Sequence, residues 1–144
     1  LGKIDMSEKY VSFNYQKDPA SLGIISKDGW KKAIGIVVEI KGIEIVYIPI
    51  NENTLIVTDT ITGLIHKRIK SPININSAED IKNITIPYSA MVATQLDIAG
   101  ISKIRSEWGL KLKELEKKYG SKPPTIWLTK EIFELLKKNY RKGY

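Results

Sequence analysis

Few side chains in this sequence can do chemistry, and their spacing narrows what they can do. There is one histidine, His66, and no cysteine. That excludes thiol nucleophiles, disulfides and thiolate metal sites, and it makes any Ser-His-Asp triad depend on a single imidazole. The acid and base group best spaced for a reaction is Glu39-Ile40-Lys41, with Asp28 or the more distant Asp18 upstream. Carboxylates so placed can hold a divalent ion while the ammonium steadies an attacking water. No Gly-x-Gly-x-x-Gly and no Gly-Lys-Ser/Thr loop occurs, so nucleotide-dependent catalysis is not expected, and no cofactor or resident metal is implied.

The stronger signal is cationic and localised. From Lys103 onward there are 12 Lys/Arg against 5 Asp/Glu, whereas residues 1–102 carry 11 of each, so the whole net charge of +7 lies in the last part of the chain. A segment charged in this way is suited to a negatively charged partner. Lys103, Arg105, Lys111, Lys113, Lys117, Lys118 and Lys122 are candidates to lie along phosphates, followed by Lys130, Lys137, Lys138, Arg141 and Lys142. Each neutralised phosphate would release counterions and tighten binding at low salt. His66-Lys67-Arg68 and Lys70 form a second basic cluster that can extend the same track. Trp30, Trp108 and Trp127 can stack on bases or anchor a core, and Trp30 sits among Lys27, Lys31 and Lys32.

Three short stretches resemble known motifs. Glu39-Ile40-Lys41 after an apolar strand is similar to the Glu-x-Lys of the PD-(D/E)xK nucleases, which implies a metal-dependent nuclease built on Asp28, Glu39 and Lys41. Ala99-Gly100-Ile101-Ser102 resembles the turn of a helix-turn-helix, although its buried positions six and nine residues past Gly100 would be Ser106 and Gly109. Thr125 to Thr129 with the helix after it resembles half of a ribbon-helix-helix unit.

These residues must be positioned by an α+β fold: an antiparallel β-meander, either a curled sheet or a small barrel, followed by a long amphipathic helix and a basic C-terminal helix. Strands are predicted at Tyr10 to Tyr15, Leu22 to Ser26, Ile34 to Ile40, Ile43 to Ile50, Thr54 to Ile61 and Leu64 to Ile69, with Asp18 to Ser21 as a turn. Asp28-Gly29 and Lys41-Gly42 supply tight turns. Ser77 to Asp80 can cap one helical turn, and Pro87 biases Ile84 to Tyr88 toward an extended link. Ile101, Ile104, Trp108, Leu112, Leu115 and Tyr119 repeat at helical spacing up to Gly120, and Thr129 can cap a helix over Lys130 to Tyr140.

At 144 residues, 42% apolar and 27% charged, one domain is expected, β-rich over 1–86 and helical and basic over 87–144. The longest apolar stretch is broken by Glu39, Lys41, Gly42 and Glu44, and no charged-then-apolar leader opens the sequence. A soluble intracellular protein without a membrane partner is therefore expected, virion-associated if viral. Abundant Ile and Lys with two glutamines fit a thermophilic, archaeal or archaeal-virus source. The function expected is weakly sequence-selective binding of nucleic acid, duplex DNA in the first instance, because three arginines offer few bidentate guanine contacts. The alternative is an assembly module of a virus or plasmid system, a homo-oligomer among its forms, using the apolar stripe of the long helix; the nuclease comes third.

Overall fold

Two tight turns, at Lys27-Asp28 and Lys41-Gly42, organise the sheet in the computed structural model, which describes residues 13–14, 19–138 and 140. They join β2 (Pro19–Ser26), β3 (Gly29–Ile40) and β4 (Ile43–Asn51). β1 (Phe13–Asn14) precedes them, β5 (Thr54–Asp59) and β6 (Lys67–Lys70) continue the meander, and β7 (Ile126–Trp127) returns to it late. Every pairing is antiparallel, in the order β6-β5-β4-β3-β2-β7, with β1 beside the end of β3. The outer strands β6 and β7 do not pair, so of the two expected forms the sheet is the curled one and not a barrel.

Several strand boundaries differ from the predicted ones: β5 stops at Asp59 and not Ile61, β6 starts at Lys67 and not Leu64, and β2 and β3 both start early. β2 begins at Pro19, where a turn is predicted, because Pro19 is the first residue of its strand and needs no ladder donor there. Its carbonyl accepts from the Leu128 N–H at 2.8 Å. β3 begins at Gly29, five residues before the predicted strand, because β2 pairs with it from Gly29 to Ile36 while β4 takes over from Ile36 to Ile40. Gly35 stands where one partner gives way to the other. A Cβ there would lie 2.7 Å from the Tyr47 carbonyl oxygen and 2.7 and 2.8 Å from Cγ1 of Val46 and Ile48.

That close approach coils the sheet, and β2 is carried round to the β5–β6 connection, where the Ile25 N–H donates to the Gly63 carbonyl at 2.9 Å. Gly63 has φ of 69°, and a Cβ on it would overlap the Gly23 carbonyl. Ala20, Leu22, Ile24, Ala33, Val37, Val46, Ile48 and Ile56 form a core whose described members all come from strands. The opposite face of the same strands carries Ile36, Val38, Ile40, Ile43, Ile45, Tyr47, Leu55 and Val57, and the helices cover it.

The helices are α1 (Ala78–Ile84), α2 (Ile86–Ala99), α3 (Ile101–Tyr119) and α4 (Phe133–Lys138). Ser77 and Asp80 close a capping box, the Asp80 N–H donating to Ser77 Oγ and the Ser77 N–H to Asp80 Oδ2, each at 3.1 Å. Instead of the predicted extended link, Pro87 lies in the first turn of α2. A proline is tolerated there because the first turn's N–H groups have no helical acceptor. α3 turns Ile101, Ile104, Trp108, Leu112, Leu115 and Tyr119 inward, as their spacing predicts. Ile101, Ile104 and Trp108 of this stripe pack against the core under the sheet. α4 is shorter than predicted, starting at Phe133, and Thr129 lies ahead of it outside any helix.

The segment after α3 closes the fold. Trp30 Nε1 donates to the Gly120 carbonyl at 2.8 Å, Pro123 lies against Gly23, and Ile132 and Leu136 are fully buried with the sheet. Among the described residues no helix is long and apolar enough to cross a membrane.

Gly35→Ala should cost about 1–3 kcal/mol, the usual range for overpacking. Gly109→Ala places its methyl in open space in mid-α3, with no neighbour within 4 Å, and should gain roughly 0.5–1 kcal/mol. Urea midpoints of the two variants against the parent protein check both signs.

Candidate nucleic-acid interface

The β5–β6 connection is organised by one buried carboxylate. Asp59 ends β5 on its inward stripe after Leu55 and Val57 and is fully buried. Its Oδ1 accepts the Ile61 N–H at 2.8 Å and the Thr62 N–H at 2.6 Å, and its Oδ2 accepts the Thr62 hydroxyl at 2.6 Å and meets His66 Nε2 at 2.6 Å. A buried carboxylate so fully hydrogen-bonded fixes the turn that follows it. The His66 ring then stacks on Trp108 of α3, with centroids 5.4 Å apart and planes 21° apart. Lys122 lies half-buried nearby: burial pulls its pKa down, opposed by the charges of Asp59 and Glu116.

Two depressions meet at this connection. One, of about 470 Å³, is lined by Ile24, Ile25, Ser26, Lys27, Asp28, Lys31, Ile65 and Arg68. It gathers cations from the β2–β3 turn, from β3 and from β6, which the coiling of the sheet brings together. The other, of about 320 Å³, lies between α2, α3 and the sheet and is lined by Ile45, His66, Tyr88, Val92, Gln95, Leu96, Ala99, Ile104 and Trp108. Tyr88 meets Tyr47 edge to face at 6.2 Å, and burial raises its phenol pKa above the ordinary 10.0.

The cations read from the sequence are distributed as follows. Lys67, Arg68 and Lys70 are exposed on the edge strand β6. On α3, Lys103, Arg105, Lys111, Lys113, Lys117 and Lys118 are all exposed. At 100° per residue they surround most of the helix and do not form one stripe. Several are engaged locally: Lys103 with Glu107 at 4.0 Å, Lys111 with Glu114 at 3.4 Å, Arg105 donating to the Gly42 carbonyl at 2.7 Å, and Lys118 over the Tyr119 ring at 5.1 Å. Lys130, Lys137 and Lys138 are exposed, with Lys137 beside Glu134 at 3.4 Å. Arg141 and Lys142 lie outside the described residues. Of the tryptophans, Trp30 is held by its bond to Gly120 and Trp108 by His66, while Trp127 is exposed on β7.

The nuclease set does not assemble. Asp28, in the turn before the 12-residue β3, and Glu39, near the end of that strand, are on the order of 30 Å apart at the rise of an extended chain. Lys41 pairs with Asp97 of α2 at 2.5 Å, and Glu39 faces Glu44 across the β3–β4 ladder. Asp18 lies outside the described residues. No group of three or more metal-ligating side chains occurs among the described residues.

Sequence reading misses both the Asp59–His66 pair and the grouping of Lys27 and Lys31 with Arg68. A signal for the first is present: Asp59 continues the apolar alternation of β5 and precedes Thr62-Gly63, the pattern of a side chain that bonds its own turn. Nothing in the sequence signals the second. Comparison with protein-family models, with curated proteins and with solved structures gives no match to this chain.

Asp59→Ala strands two backbone donors and the Thr62 hydroxyl and should cost about 2–4 kcal/mol. Asp59→Asn retains an acceptor for the backbone and should cost less; chemical denaturation ranks the two. At alkaline pH the signs oppose. The Tyr88 and Tyr140 phenols are held above 10.0 by burial, Tyr140 also by Glu52 and Asp80. Their stabilisation is complete below 10.0 and is lost as pH rises through the folded-state values. Lys122, lowered from 10.5, costs stability below its folded value, and that cost is relieved as pH rises toward 10.5. Melting curves across this range should show stability falling above pH 10, and falling less steeply in Tyr88→Phe.

Proposed function

We propose that the protein binds nucleic acid through its phosphate backbone with weak sequence selectivity. The observation that carries this reading is the convergence of Lys27, Lys31 and Arg68 on one depression of about 470 Å³, beside the exposed Lys67 and Lys70 of the same edge strand. Cations from the β2–β3 hairpin and from β6 around a concave surface suit an anion better than the same charges scattered on a convex one, because low-dielectric walls focus their field. The net charge of +7 adds long-range attraction for a polyanion. Asp28 in the wall of the depression orients the ligand by repelling phosphate from that side.

The segment carrying Lys130, Lys137 and Lys138 cannot be removed to test this, since Ile132 and Leu136 belong to the core; surface substitutions are the right tool. Binding of a labelled oligonucleotide, followed by fluorescence anisotropy, should weaken about 100-fold between 50 and 200 mM salt if roughly four phosphates are engaged. In the triple variant Lys27→Ala, Lys31→Ala, Arg68→Ala the log–log salt slope should become shallower by about one for each phosphate no longer neutralised. A thermal melt confirms that the variant is folded. Failure to bind at the lower salt, or binding indifferent to salt, would overturn the reading.

A further inference from the structure

The second depression is different in kind from the first. Its walls are aliphatic and aromatic, from Ile45, Val92, Leu96, Ile104, Tyr88 and Trp108. Its volume of about 320 Å³ is at the lower end of the range for small-molecule sites, about 300–1,000 Å³, and too small for a helix or a folded peptide. Trp108 is held by its stack on His66, and His66 by Asp59. One wall is therefore rigid before any ligand arrives, which lowers the entropic cost of binding. The polar atoms are few. The Tyr88 hydroxyl and the Gln95 amide have no hydrogen-bond partner among the described residues, and the amide both donates and accepts. Burial keeps the Tyr88 phenol protonated beyond its ordinary range, so it remains a donor.

We infer that this pocket holds one unpaired nucleobase of a single-stranded nucleic acid, with the neighbouring phosphate in the cationic depression. The inference rests on the phosphate-binding reading above and adds to it the strand state of the ligand. Its geometric basis is the chain itself: Ile65 lines the cationic depression and His66, the next residue, lines the apolar one. The two sites are thus separated by the thickness of one connection. A nucleotide carries the same pairing of an anion with a flat, weakly hydrated ring that has donors and acceptors on its edge. A base inside a duplex is stacked and paired, and it reaches such a pocket only when it is extruded. A single strand offers its bases without that cost, and its π-faces suit a Tyr and Trp lining whatever the base. Lys67, directly after His66 and exposed, lies where a second backbone phosphate would be neutralised.

The test uses the full chain and three labelled oligonucleotides with equal numbers of phosphates: a mixed-sequence single strand, the same strand with abasic sugars throughout, and a duplex. The native single strand should bind about 10-fold tighter than the abasic one, within what stacking of one base contributes, and tighter than the duplex at equal salt. Ala99→Trp, at an exposed position on the pocket rim, should abolish the preference for bases while leaving abasic affinity and the salt slope unchanged. Methyl resonances of Val92, Leu96 and Ile104 should shift with the native strand and not with the abasic one. Equal, salt-sensitive binding of native and abasic strands would overturn the base pocket and leave the phosphate reading standing. Absence of binding to all three would overturn the phosphate reading and the base pocket with it.

Discussion

The strands of this protein are apolar on both faces, and its helices suffice for only one. The second half of β3 from Ile34 and nearly all of β4 are rich in Ile and Val on both faces, which a sheet with one wet face would not tolerate. One face is buried under α1 to α4, and the other within the coil of the sheet. Both solutions depend on β3, long enough to serve β2 with its first part and β4 with its last. The coil needs a backbone close to its neighbour at the exchange point, and the absent side chain of Gly35 permits it.

From that coil comes the placement of everything with chemical potential. β2 meets the β5–β6 connection at Gly63, and Asp59 fixes the connection internally. The same carboxylate sets His66, and His66 sets Trp108. A single buried charge thus links the sheet to α3 and shapes one wall of the apolar pocket. The cationic depression has the same origin, since Arg68 approaches Lys27 and Lys31 only because the edge strand is bent round toward the β2–β3 turn.

Local features are legible in the sequence where local physics decides them. The Asp28-Gly29 and Lys41-Gly42 turns, the Ser77 cap and the inward stripe of α3 follow from residue types at fixed spacing, and the structure has all of them. Pro19 and Pro87 mislead because a proline breaks an element only where a hydrogen-bond donor is required, and Pro19 opens its strand while Pro87 lies in the first turn of its helix, where none is. Glu39 and Lys41 look like chemistry because adjacency in sequence hides that the nearest upstream acid, Asp28, is a whole strand away. The cations can be counted from the sequence, but their arrangement cannot be read there. On α3 they surround most of the helix, while Arg68 of β6 reaches Lys27 and Lys31 of the β2–β3 hairpin only through the sheet's curvature.

The late core residues also bear on how the fold closes. The outer face of the sheet is complete only with Ile132 and Leu136, and β2, made near residue 20, waits for Trp127 and Leu128 to cover its edge. The Ile- and Val-rich meander therefore closes its helix-covered face through contacts between segments far apart in sequence. Contacts of such sequence separation form slowly because loop-closure entropy must be overcome first.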